Sequence, residues 1–248
     1  MKKMMITGTL LLAGLLLQAC NSADSGGPPA DLENNWTGYI KEGVDNLDSY
    51  ASESLLNVQI TDGVEVVADY DEEVIKMQVV GDLEQVYSTN ERDEVITQEL
   101  FFEDNHFYLN ETNGWVKYPD AGPIEYDSWY PNVVEALISI AHLIDSNHTD
   151  THLELTYEGY DYEVWEAFEE VFSLTMSGVN EDHIHMTLTT HMDESTYYLD
   201  RLRLDILGEH IEDETVLGNV SISVDVNYFD HDEVDLSDVK ANITEDVD

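Results

Sequence analysis

Between Val216 and Tyr228 every even position is apolar or glycine: Val216, Gly218, Val220, Ile222, Val224, Val226 and Tyr228. The odd positions between them read Leu217, Asn219, Ser221, Ser223, Asp225 and Asn227. Successive side chains of a strand point to opposite faces, so such a run has one dry face and one wet face. It suits an antiparallel sheet with its core on one side and excludes a strand buried on both. Tyr198, Leu202, Leu204 and Ile206 alternate with Arg201, Arg203 and Asp205 in the same way. Nearer the N-terminus, from about Ser52 to Tyr118, short apolar-rich runs (LLNVQI, VEVVADY, EVIKMQVV, ITQELFF, HFYLN, GWVKY) are separated by Asp, Asn and Gly turn signals.

Three segments keep helical spacing instead. Leu32, Trp36, Ile40, Val44 and Leu47 form one stripe, flanked by Tyr39 and Tyr50. A second helix is expected over Trp129–Ile144, with Pro131 in its first turn and Val133, Val134, Leu137, Ile140, Ala141 and Ile144 on its apolar face. A third, Tyr162–Phe172, presents Val164, Trp165, Phe168 and Phe172 on one side. The end, Ser237–Asp248, is polar and reads as a loose tail.

The first twenty residues are of another kind. Lys2 and Lys3 precede an apolar run from Met4 to Leu17, too short for a bilayer span of about 20 residues but suited to a signal peptide. The run ends in Leu17-Gln18-Ala19-Cys20, the pattern of a lipobox, with Cys20 as the residue to be acylated. Cys20 is the chain's only cysteine, so its lipidation leaves no disulfide and no thiolate chemistry. A diacylglyceryl thioether supplies the two chains that stable anchoring needs. The expected partner is therefore a membrane, reached through lipid on Cys20, at the outer leaflet of a Gram-positive-type cell. Asn21–Ala30 (NSADSGGPPA) is a small, polar tether.

Charge sets a second boundary. The chain carries 54 Asp and Glu against nine Lys and Arg, and all the acidic residues follow Cys20. Removing Lys2 and Lys3 leaves 7 − 54 = −47 on the mature chain. Nucleic acid and anionic headgroups are rejected as partners. Carboxylates spread along the whole length read as a solvated surface, and self-repulsion on this scale points to a salt-rich medium.

One helix after the tether, a β meander, helices inserted midway and a second β meander resemble the LolA-like superfamily of lipoprotein carriers. Within it they are similar to the LppX/LprG-like carriers and, more closely, to small uncharacterised lipoproteins of Gram-positive bacteria. The match is carried by LQAC, by LDSYASESLLNVQI at Leu47–Ile60, by FYLNETNGWVKY at Phe107–Tyr118 and by YYLDRLRLDI at Tyr197–Ile206. The resemblance implies an α+β fold, mainly antiparallel β: a curved, half-open, barrel-like sheet whose opening is covered by the N-terminal and inserted helices. It also implies an apolar interior, which in related carriers holds acyl chains. The expected organisation is a signal peptide over residues 1–19, lipidated Cys20 and tether over 20–30, one domain over 31–235 and a polar tail over 236–248.

Sites of chemistry are sparse. Nucleophile elbow, HExxH, phosphate-cradling loop and dinucleotide fingerprint are all missing, so neither an enzyme nor a cofactor is expected. His183, His185 and His191 share a strand face, but a metal needs a third converging ligand, and none is expected. His148 and His152 (HTDTH) read as part of a loop leaving the second helix. Asp69, Asp71, Glu72 and Glu73, like Asp225, Asp230 and Asp232, fit no EF-hand loop and read as solvated faces and turns. Trp115, Trp129 and Trp165 sit at expected helix–sheet junctions, with Tyr118, Tyr126 and Tyr130 nearby in sequence, where they line the mouth of a ligand cavity or belong to ordinary core. The expected function is a non-catalytic, membrane-anchored lipoprotein that binds a hydrophobic ligand, lipid or acyl chain. Its alternative is a surface interaction module with a filled core.

Overall fold

The computed structural model describes residues 29–62, 65–81, 84–118, 129–149, 151–174, 179, 183–212 and 215–247. The signal peptide, Cys20 and all of the tether before residue 29 lie outside them, as do Tyr126 and the side chains of Asp69, Asp71, Glu72 and Glu73. Helix α1 (Leu32–Asn46) leads into β1 (Ser49–Asp62), β2 (Glu65–Val80), β3 (Gln85–Arg92), β4 (Val95–Glu103), β5 (His106–Glu111) and β6 (Gly114–Tyr118). Helix α2 (Tyr130–Ser139) and a single 3-10 turn (Ala141–Leu143) follow. The second half holds β7 (Asp145–His148), β8 (His152–Gly159), α3 (Tyr162–Glu169), β9 (His185–Asp193), β10 (Leu199–Glu212), β11 (Thr215–Phe229) and α4 (Ser237–Val247).

All eleven strands form one sheet in the order β6-β5-β4-β3-β2-β1-β11-β10-β9-β8-β7. Every pairing is antiparallel. The two meanders join where β1 lies against β11, and β6 and β7 remain as edges, so the sheet is not closed. Open sheets of about ten strands rarely stay flat. Register shifts in the β1–β2, β3–β4, β9–β10 and β10–β11 pairs add local bend, giving the curved, half-open sheet that the resemblance implies.

Residues directly opposite on antiparallel strands share a face, so the register extends the alternation of β11 across the sheet. Val224 lies between Leu204 and Leu56, and Val226 between Leu202 and Ser54. Ile222, Val224, Val226 and Tyr228 are buried, as are Leu202, Leu204, Ile206, Met186, Leu188, Leu153 and Leu155 on the neighbouring strands. Against this inner face α1 buries Trp36 and Ile40, α2 buries Val133, Val134 and Leu137, and α3 buries Val164, Trp165 and Phe168. The helices form because their apolar residues recur at three and four positions. The second ends earlier than its apolar spacing allows, since Ile140 leaves helical geometry and the 3-10 turn carries the chain to β7. The third ends at Glu169, and Phe172, just beyond it, stacks on Phe168 at 5.9 Å.

The C-terminal reading is corrected. Ser237–Val247 is a helix, and Leu236 and Ile243 are buried in a second core cluster with Phe101 and Trp115. Leu236, Val239 and Ile243 recur at helical spacing, a stripe that the surrounding charge hides in the sequence.

Gly218 has a steric reason to be glycine. A Cβ at this position would stand 1.7 Å from the Thr61 carbonyl oxygen, where β11 passes β1 near the bulge at Ile60/Thr61. The obstacle is backbone and cannot swing away. Gly218→Ala is expected to cost about 2–3 kcal/mol and to lower the melting temperature by about 5–10 °C. Ser221→Ala, at an exposed position of the same strand, should leave the melt unchanged.

Candidate functional site

The inner face of the sheet is treated unequally by the helices. Over β7–β11 it is filled, and the packing continues across Tyr50, Met77, Val79, Val86 and Phe102. Beyond that line the same face continues onto β4–β6. Leu100 is opposite Leu109, which is opposite Val116, and Phe107 is opposite Tyr118. Ile75 lies on the same face of β2, with Asn90 of β3 and then Gln98 of β4 opposite it. Of these, Ile75, Val116 and Tyr118 are exposed by 39%, 38% and 41%, and Leu100, Phe107 and Leu109 are half-buried. None of the six belongs to either core cluster. Phe107 and Tyr118 meet edge to face at 6.2 Å. An open apolar surface of this kind on a concave sheet can hold a flexible hydrocarbon by area alone, at about 25 cal/mol per Å² removed from water. The sequence shows the alternation of these strands but not which stretch the helices leave bare.

The three tryptophans do not share a mouth. Trp115 points to the opposite side of the sheet, where it packs with Phe101 and with Leu236 and Ile243 of the C-terminal segment. Trp165 is 4% exposed and lies in the main core. Trp129, the N-cap residue of α2, is half-buried and lines a cleft of about 280 Å³ together with Val44, Leu47, Tyr50 and Pro131. Only Trp129 therefore stands at an opening. It lies beside α1, where the helical layer meets the end of β1.

Behind Trp129 lies a group the sequence did not single out. Tyr50, Tyr130 and Tyr228 pack ring to ring, at 5.4 Å, 6.1 Å and 4.9 Å between centroids. The Tyr130 N–H donates to the Tyr50 hydroxyl (3.2 Å), and the Leu199 N–H donates to the Tyr130 hydroxyl (2.6 Å). Burial pushes the Tyr130 and Tyr228 phenols far above their ordinary value, so both stay neutral. The cluster ties the first turn of α2 to β1 and β10, and its chemistry is that of a fastening.

On the outer face the histidines pair singly with glutamates. His183 Nδ1 is 3.1 Å from Glu209, and His185 Nε2 is 3.6 Å from Glu158. These two do not share a ligand position. His148 and His152 are not in a loop: His148 ends β7 and His152 opens β8, and the two strands pair antiparallel. His148 Nδ1 meets Glu194 at 2.6 Å. His152 comes beside His191, which burial, with His152 adding repulsion, holds below the ordinary imidazole value. Burial pushes Asp200 up to about 6, with Asp193 adding repulsion and His152 opposing it.

No helix among the described residues is long and apolar enough to cross a membrane. No family model matches the chain, and no curated protein matches its sequence. Among solved structures the chain is similar to the crystal structure of the Mycobacterium tuberculosis lipoprotein LppX: 10% identity, 82% of this chain and 98% of that one, TM-score 0.41. It is also similar to a LolA superfamily protein from Nitrosomonas europaea, with 11% identity, 84% and 96% coverage and a TM-score of 0.30. A DUF1329 family protein from Desulfovibrio piger gives 11% identity, 89% and 100% coverage and a TM-score of 0.26. At such identities and scores the likeness concerns the arrangement of elements, and any reading of function has to come from the residues.

Proposed function

We propose that the chain is an extracytoplasmic lipoprotein, held at the outer leaflet of a Gram-positive-type cell by lipid on Cys20, and that it binds a hydrophobic ligand without catalysis. The ligand class is an acyl chain or lipid tail, and its seat is the inner face of β4–β6. The observation that carries the reading is the row Ile75, Leu100, Phe107, Leu109, Val116 and Tyr118, apolar, concave and joined to neither core cluster. The lipobox supports the location, because a carrier fixed beside a bilayer meets lipid at high local concentration. The ligand would be held by apolar contact along that row, beside the Glu111 carboxylate, which accepts from the Tyr118 hydroxyl.

Native mass spectrometry of the chain made without residues 1–20 tests this. The expected result is a protein peak with the added mass of an acyl lipid, and a bare peak for the double variant Leu109→Glu, Val116→Glu. Leu109 is half-buried and Val116 is 38% exposed on an open face, so the variant should melt like the parent. A parent that carries no lipid, even after incubation with fatty acid, would instead support an interaction module with a filled core.

A further inference from the structure

The wet face of the second meander brings three side chains together that the sequence keeps apart. His152 and Glu154 are two apart on β8 and so project on the same side, and His191 on β9 lies directly opposite Glu154. One ligand atom from each of the three residues lies within 4.8 Å of the other two. The imidazoles stand 4.2 Å apart, centre to centre, tilted by 34°. Glu154 Oε2 is 3.6 Å from His191 Nε2. A cross-strand ion pair accounts for Glu154 with His191, but not for the second imidazole against the first, since two protonated rings at that distance repel. His183 and His185, on the same face, each meet one glutamate and no second histidine among the described residues.

We propose that His152, Glu154 and His191 bind one divalent transition metal ion of the zinc class. Two imidazole nitrogens and one carboxylate oxygen are a borderline donor set that suits zinc, copper(II) or nickel(II), whereas calcium and magnesium take all-oxygen shells. Zinc bonds of about 2.0–2.2 Å place tetrahedral ligand atoms about 3.4 Å apart. Half-buried side chains on two hydrogen-bonded strands reach that spacing by rotation about χ1 and χ2, without backbone movement. The Thr151 hydroxyl is 3.0 Å from His152 Nδ1. With Nδ1–H donating to that oxygen, the Nε2 lone pair faces the metal, the usual division of labour in a ligating histidine. Asp193 is opposite His152 and Asp200 interacts with both, while Arg201, opposite His191 on β10, is engaged by Asp225, so charges of both signs border the site. Three protein ligands leave a position for water or a further donor. The site lies on the face opposite the proposed lipid seat, and neither reading depends on the other.

Titration calorimetry of the full-length protein in detergent with zinc chloride, over an excess of magnesium chloride that occupies the general acidic surface, tests the site. A single saturating site is expected, weakened at least about tenfold in His152→Ala and in His191→Ala. Glu154→Gln should weaken it as well, and His185→Ala should leave it unchanged. Cobalt(II) in place of zinc should give visible absorption bands that the His191 variant lacks. Melts of the metal-free variants should match the parent. If an alanine variant melts low, His152→Gln and His191→Gln, which keep the bulk on the strand, carry the comparison. Zinc bound equally well by the double histidine variant, or no saturable site above magnesium, would overturn the proposal.

Discussion

Raising sodium chloride from about 0.05 M to about 2 M is expected to lift the melting temperature by on the order of 10–20 °C, equivalent to about 5 kcal/mol. Nine basic residues stand against 54 acidic ones, so most carboxylates have no cation to meet. Among the described residues the Lys and Arg pairs are few. Lys76 bonds Glu91, Arg201 clasps Asp225, Arg203 holds Asp205 and Lys240 meets Glu103. Each remaining like-charge contact costs about a few tenths of a kcal/mol at low ionic strength, and dozens of them rival a total stability of roughly 5–15 kcal/mol. Salt shortens the screening length from about 10 Å at 0.1 M to about 3 Å at 1 M, which leaves pairs in contact but silences the rest.

Acid should act in the same direction at first. Asp200 has a folded value of about 6, above its unfolded one, so its strain is relieved as the pH falls through about 6. Asp193 and Asp205 have folded values below the ordinary one, held there by Ser195 and Thr196 and by Arg203 and Ser223. Their stabilisation is present above the ordinary carboxylate value and is lost as the pH drops through the lowered one. A stability maximum on the mildly acidic side, flattening at high salt, follows. Circular-dichroism melts over sodium chloride and pH read both effects. A melting temperature that stays level or falls as salt rises would mean the fold already relieves its repulsion.

Val224→Asp is expected to abolish cooperative folding. Val224 is 3% exposed on the inner face, flanked by Leu204 and Leu56. An unpaired carboxylate there costs at least about 4 kcal/mol, as much as the whole stability of a marginal domain. Ser221→Asp, three positions earlier on the wet face and exposed, should cost less than about 0.5 kcal/mol. Equal loss at the two positions in a thermal melt would contradict the two-faced sheet.

The two-faced strand was legible from residue types alone, because a period of two repeated over thirteen positions has one physical solution. The helical stripes of Trp36–Ile40, Val133–Leu137 and Val164–Phe168 were legible for the corresponding reason. Helix α4 was not, since Leu236, Val239 and Ile243 are three apolar residues in an acidic stretch and find their partners in Phe101 and Trp115, far away in sequence. The tryptophans show the same limit. Trp115 faces the outer cluster because it alternates with Val116 on β6, while Trp165 lies in the main core on the buried stripe of α3.

What the chain determined locally was therefore which segments are strands or helices and which side of each is dry, together with the acidic composition. These depend on neighbours within a few residues, where side-chain spacing dictates direction. Tertiary structure alone decided which dry faces are covered, leaving Leu100, Leu109 and Val116 bare while filling the face beside Leu204. It also decided which histidines meet. His152 and His191 are 39 residues apart in sequence, from 191 − 152, and become neighbours only through the pairing register of β8 with β9. Register is a property of two strands at once, set by how both bury their apolar sides, and no single segment contains it.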